Sequence, residues 1–319
     1  MLSFRESVYT ALFAFCFLFF TSFSEANEIE SVKLPKSKLT LEIEFSDQSS
    51  KAYKGRLISL VDTYIHESSK LFGGLPKKLD GSFYTRLKVK LSSGGFGGEA
   101  DPELIELRGI SDQKLFGFYN WEIVLLHEIL HLWSAETFRY AEYREQWFNE
   151  GVTEYITFRL ATKLGVLKSD QVLNAFSTPI GNYLSAKGIG EHSLRSAAKT
   201  KELKSEHYFL VYHGGFVAGM ILDHQIRSRS EGKFTLDDLM RGLYKTHSRD
   251  NRYSSESILE LINTSMDIDF SVFFKRHIDG NEIIPVGDYF DIGQLMLSEI
   301  GAPIEGENQQ ILADMLMLE

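Results

Sequence analysis

The sequence predicts an α+β protein in two parts, a sheet-containing first part followed by a helical second part. Three observations predict it. Period-two alternation of apolar and polar residues is confined to the stretch before residue 110. Helical periodicity dominates from residue 120 onward. The 319 residues, 43% hydrophobic and 24% charged, suit a globular chain with a sizeable core rather than a disordered or fibrous one.

The elements follow in chain order. Arg5 stands in a short polar start, "ALFAFCFLFF" (11–20) follows without a charge, and Ser24-Glu25-Ala26 puts small residues where a signal peptidase inspects. That layout reads 1–26 as a secretory signal peptide, because the apolar run is short for a membrane span. The expectation is therefore a periplasmic or secreted protein with no stable membrane span after cleavage. Cys16, the only cysteine, lies in this segment behind Phe15, which argues against a lipid-attachment site. What remains can form no disulfide and offers no thiolate. Cleavage removes Arg5, Glu6 and Glu25, so the chain stays close to its net charge of −10. With no basic cluster, that acidity argues against nucleic acid as partner.

"KLTLEIEF" (38–45) alternates as a half-buried strand does, and 49–72 reads as an amphipathic helix stopped by "FGGLP". "TRLKVKLSS" from Thr85 alternates again. "GGFGGEADPELIELRGI" then reads as a glycine-rich turn followed by one short strand. Helices are expected over 120–138, 145–164, 205–229 and 234–247, the last opened by Thr235 and Asp238 in a capping box. These elements divide the chain into 27–139, an N-terminal lobe that includes the 120–138 helix, and 140–300, a helical lobe. An acidic tail follows over 301–319.

The chemistry lies in "VLLHEILHLW" (124–133). Two histidines and a glutamate sit in a helix whose other positions, Ile123 to Trp133, leave almost no polar face. Burying unpaired charge there costs several kcal/mol, so something must offset it. His127 and His131 are four apart, which turns both imidazoles to one side, and H-E-x-x-H is the spacing that puts two nitrogens on one zinc ion with Glu128 beside them as general base. A third ligand must come from elsewhere. Nineteen positions beyond His131 stands Glu150, in "WFNEGVTEY". The other histidines (His66, His192, His207, His213, His224, His247 and His277) have no ligand spacing among themselves.

His127-Glu128-x-x-His131 with Glu150 after eighteen intervening residues resembles the gluzincin metallopeptidases. Trp133 and "W-F-N-E-G" are similar to the aminopeptidase N-like and glycyl aminopeptidase branches. "KLFGGLP" (70–76), "YHGGFVAGMILDHQIR" (212–227), "TLDDLMRGLY" (235–244) and "FFKRHIDGNEIIPV" (273–286) favour the glycyl aminopeptidase family, in the same order as there, over a span from Leu57 to Leu297. The resemblance implies a thermolysin-like, two-lobed zincin catalytic domain without the large β-domain and PDZ domain that family members often carry.

It also implies roles. His127, His131 and Glu150 would hold one zinc ion with a fourth position open to water, and Glu128 would take that water's proton. Tyr212 resembles the tyrosine of the family's Y-x-K-G segment, whose hydroxyl would donate to the oxyanion, although Gly214 replaces the lysine and Tyr208 one turn earlier is a rival. The family's G-G-L-E-H segment, whose glutamate would hold the substrate's free amine, is nearest matched by Gly97-Gly98-Glu99-Ala100. Glu99 takes that role on this alignment; Glu103, or neither, remains open. Glu154 is either an outer partner of a ligand histidine or a surface charge. Gly215 and Gly219 read as a close approach of two helices rather than a phosphate loop. The function implied is an exported zinc-dependent peptidase acting on peptide or protein, as an aminopeptidase. An endopeptidase and a non-catalytic peptide-binding protein on the same fold are the alternatives.

Overall fold

A computed structural model describes residues 29–110 and 117–289. The segment 1–26, read above as a signal peptide, and the tail 301–319 lie outside the described residues. Five strands form one mixed sheet in the order β1-β2-β3-β5-β4. β1 (Ile29–Lys33) pairs antiparallel with β2 (Thr40–Phe45), and β2 is followed by α1 (Lys54–Phe72), the crossover to the parallel strand β3 (Arg86–Ser92). β4 (Gly97–Asp101) and β5 (Leu104–Arg108) form a hairpin that adds through β5, leaving β4 at the edge.

The alternation that marked the strands sets the two faces of the sheet. Leu41, Ile43, Leu87, Val89, Leu91, Ile105 and Leu107 are buried, whereas their neighbours form an ionic layer on the other face. There Lys88 meets Glu44 at 2.5 Å and Lys90 meets Glu106 at 3.2 Å. The glycine-rich stretch corrects one expectation: its second half is itself the edge strand β4, not a turn. Gly97 and Gly98 contribute no side chain, so the alternation by which a strand is recognised is blank there.

The helical part is longer than its periodicity suggested. α2 (Trp121–His131) is capped by Asn120, whose side chain accepts from the N–H groups of Glu122 and Ile123. It continues as a π-helical turn over Leu132–Thr137, and a second π-helical turn, Trp147–Val152, leads into α3 (Thr153–Lys163). α4 (Ser169–Leu184), α5 (Leu194–Ala197) and α6 (Lys201–Glu206) precede α7 (Tyr208–Arg229). The helix expected over 205–229 is thus broken at His207. α8 (Leu236–Thr246) has the capping box read from Thr235 and Asp238, and α9 (Ser255–Met266) follows. No helix among the described residues is long and apolar enough to cross a membrane.

Candidate active site

α2 packs against α1, α3, β4 and β5 at once, which accounts for its nearly continuous apolar sequence. Trp133, at its end, stacks on Phe72 and donates through its indole N–H to the carbonyl of Gly74, 2.9 Å away. The "FGGLP" segment therefore holds the motif helix in place. Glu150 rides on the π-helical turn, which is pressed against α7 through glycines. A Cβ on Gly151 would meet Gly215 Cα at 2.4 Å, and one on Gly215 would meet the Trp147 carbonyl oxygen at 2.0 Å. Gly219 lies against Val152 in the same seam. The close-approach reading of Gly215 and Gly219 matches this packing. It brings the segments bearing Glu150 and Tyr212 together.

Three ligating atoms converge. His131 Nε2 lies 3.0 Å from His127 Nε2, and Glu150 Oε2 lies 3.4 Å and 3.3 Å from those two nitrogens. A tetrahedral ion about 2.0–2.1 Å from each ligand has ligand–ligand edges of ~3.3 Å, so these separations fit one zinc-sized cation. Among the described residues this is the one group of three or more such side chains close enough to hold a metal. His131 Nδ1 meets Ser134 Oγ at 3.1 Å, and Ser134 in turn meets Thr153 Oγ1 at 3.1 Å. That fixes one imidazole from behind. His127 Nδ1 is buried without a partner.

The cluster opens into a cleft of about 570 Å³, walled on one side by β4 and on the other by the start of α7. Glu128 is buried at its wall, directly beneath Gly98, where a Cβ would meet Glu128 Cγ at 2.5 Å. Burial, helped by the charges of Glu150 and Glu99, pushes the Glu128 carboxyl up to about 7. Burial would do the same to Glu150, but its contacts with His127, His131 and Lys204 outweigh that and hold it well below the usual carboxylate range. The two carboxylates are thus driven apart, one towards a proton carrier and one towards a permanent anion.

Tyr212 lines the cleft and stacks on Tyr208, with ring centroids 4.1 Å apart. Burial pushes the Tyr212 phenol well above its ordinary value, which keeps it a hydrogen-bond donor. Both rivals line the cleft, with Tyr208 the more exposed. Glu99 also lines it, as an exposed residue of the edge strand whose neighbour Gly98 faces Glu128. Glu103 is not brought there. It sits at the hairpin turn with φ +61°, pairs with Lys78 at 2.7 Å, and borders a separate cavity.

Glu154 is buried rather than a surface charge. Burial pushes it up to about 7, and its Oε2 makes no hydrogen bond; His213 Nε2 stands 3.9 Å away. Of the two readings left open for it, the surface charge is excluded by this burial, and no hydrogen bond joins it to His127 Nδ1 to build the outer-partner role. Further charged cleft residues escaped the sequence reading, Lys204, Arg139 and Glu136 among them. No ligand spacing marks them: Glu136 and Arg139 follow the motif on the turn that continues α2 and just beyond it, and Lys204 arrives from α6.

The segment 121–213 matches the family model of the M61 glycyl aminopeptidases. No curated protein matches the chain significantly. Solved structures share the fold. An aminopeptidase N family protein from Idiomarina loihiensis is 17% identical over 84% of this chain and 49% of its own, with a TM-score of 0.66. An M1 zinc metallopeptidase from Deinococcus radiodurans is 15% identical over 81% and 52%, with a TM-score of 0.57. Aminopeptidase A of Legionella pneumophila is 13% identical over 80% and 28%, with a TM-score of 0.58. The chain spans about half or less of the length of these proteins. The chain thus shares the fold of aminopeptidase N-like zinc metallopeptidase structures, and its 121–213 segment is similar to the glycyl aminopeptidases that the sequence motifs resembled.

Proposed function

We propose that the protein is an exported zinc-dependent peptidase that removes residues from the free amino termini of peptides. The observation that carries the reading is the convergence of His127 Nε2, His131 Nε2 and Glu150 Oε2 within 3.4 Å of one another, with Glu128 at the same cleft. Those three residues would hold a single zinc ion, which when bound polarises a carbonyl and acidifies water. Glu128, with a carboxyl near 7, takes a proton from the attacking water and returns it to the departing amine. The Tyr212 hydroxyl donates to the carbonyl oxygen as charge develops on it. β4, an edge strand along the cleft, offers an extended peptide a line of backbone to pair with. The Deinococcus M1 enzyme is described with a Tyr-Ser-Ala substrate, the class of ligand expected here.

Glu99 is the carboxylate proposed to hold the substrate's amine. Its exposure and its place on a strand whose match to G-G-L-E-H is broken favour an endopeptidase as the second reading. Matched free and N-terminally blocked peptides decide between them, assayed with bound metal quantified and with or without chelator. Loss of cleavage on blocking supports the aminopeptidase; full retention supports the endopeptidase. No chelator-sensitive hydrolysis of either peptide would leave the non-catalytic peptide binder. Export rests on the layout of 1–26, and a mature amino terminus at Asn27 on protein recovered outside the cytoplasm is the expected result.

A further inference from the structure

Lys204 belongs to α6, a short helix that carries no part of the histidine motif. Thr200 caps it by accepting from the N–H of Leu203, and it packs against α7. The Lys204 ammonium donates to Glu150 Oε1 at 2.8 Å and to Gln146 Oε1 at 3.0 Å. It also stands 5.1 Å from the ring centroid of Tyr212 and 5.8 Å from that of Tyr143. Its side chain is only 16% exposed.

The two oxygens of Glu150 therefore have different neighbours. Oε2 faces the imidazoles, and Oε1 is occupied by the ammonium. We propose that Lys204 is a positioning residue for the metal site. By holding Oε1 it leaves a single oxygen for the ion and fixes the carboxylate in the orientation that aims Oε2 at the two histidine nitrogens. The proposal rests on the metal-site reading above.

A carboxylate with both oxygens free can turn or bind through either or both, so an outer partner that occupies one of them sharpens the site. Gln146 makes the clamp two-sided, since it immediately precedes the π-helical turn that carries Glu150. The same ammonium lies beneath the tyrosine assigned to the oxyanion, so one cation ties together three parts of the cleft. A cation cannot come from position 214, where the resembled segment has lysine. Here it is glycine, and a Cβ there would sit 2.6 Å from Leu194 Cδ2 and 3.2 Å from Tyr183 Cδ2, so those side chains take up the space beside it. The position is filled from α5 and α4, and the cation of this site arrives from α6.

The test uses the purified full chain and measures zinc dissociation constants by chelator competition for the parent, Lys204→Met and Lys204→Arg, with melting curves of each metal-free form. Lys204→Met is expected to weaken zinc binding on the order of 10–100-fold while still melting cooperatively, and Lys204→Arg to restore most of the affinity. Should the methionine variant fail to fold, Lys204→Gln serves the same comparison. A parent that binds no zinc overturns the metal-site reading itself. A parent that binds zinc, with Lys204→Met binding as tightly or more tightly, overturns only the positioning role. Unchanged zinc affinity with a raised KM for peptides bearing a free carboxyl terminus would instead make Lys204 a substrate contact, and overturns the proposal equally.

Discussion

Glu128 makes no ion pair among the described residues and lies under Gly98, where β4 has no side chain. A carboxylate so placed contributes little to packing, and Glu128→Gln should leave shape and metal content intact. Hydrolysis is expected to fall by about 10²–10⁴-fold, the usual contribution of a positioned general base. Steady-state kinetics beside zinc analysis of the same sample checks this; unchanged turnover would remove Glu128 from the reaction. The two stacked tyrosines separate in the same way. Tyr212→Phe is expected to lower kcat by roughly 10²–10³-fold, the scale of one lost oxyanion donor, whereas Tyr208→Phe should act mainly through KM. The reverse pattern would exchange their roles.

At the scale of elements, the site depends on how closely the π-helical turn bearing Glu150 approaches α7. Gly215→Ala drives a methyl group into the carbonyl of Trp147, a backbone atom that cannot swing aside. Overpacking of this kind typically costs 1–3 kcal/mol, and the only relief is to part the two elements. Lower melting temperature and weaker zinc binding are expected together in this variant. A loss of stability with zinc affinity untouched would mean that the seam does not set the position of Glu150. Two of the three π-helical turns among the described residues adjoin the candidate metal site, one beginning directly after His131 and the other containing Glu150; the third, Phe274–Ile278, does not. Such wide turns are a recurrent feature of functional segments, where they re-aim side chains that regular helix would point elsewhere.

At the scale of the whole molecule, Asp223, buried on α7, is a junction between three helices. It accepts from the Tyr155 hydroxyl at 2.8 Å, from Arg159 at 2.6 Å, from Arg227 at 3.0 Å and from the N–H of Leu236 at 2.9 Å, joining α3, α7 and α8. Burial opposes ionisation, but Arg159 and Arg227 outweigh it and hold the carboxyl below its ordinary value. Because the folded value lies below the unfolded one of about 3.9, the stability it confers is present above about pH 4. That stability is lost as pH falls through the lowered folded value. Asp223→Asn should therefore destabilise by about 3–5 kcal/mol near neutrality, by leaving buried guanidinium groups without their anion. It should also flatten the fall in urea midpoint between pH 5 and 3; a variant with the parent's acid profile would rule out this linkage. Metal has its own global signature. Zinc at 100 times its dissociation constant adds about 2.7 kcal/mol to the folded state, so chelation should lower the melting temperature of the parent and leave that of a His127→Ala variant unmoved.

The strands β2 and β3, helices α1, α2 and α8, and the group His127, Glu128, His131 and Glu150 were legible in the sequence. Each leaves a local signal: alternation, a 3.6-residue stripe, a capping box, or two ligands one helical turn apart. Apart from Glu150, nineteen positions beyond His131 and named through the family resemblance, such signals depend only on neighbours within a few positions, and the chain carries them before it folds. The edge strand β4 was not legible, since glycines carry no pattern. The break at His207, the burial of Glu154 and the arrival of Lys204 at Glu150 were not legible either. Those belong to contacts between segments far apart in the chain, and only packing decides which of many lysines or carboxylates comes to rest beside the two imidazoles. What local chemistry could name was the candidate ligands; what the folded core supplied was their convergence.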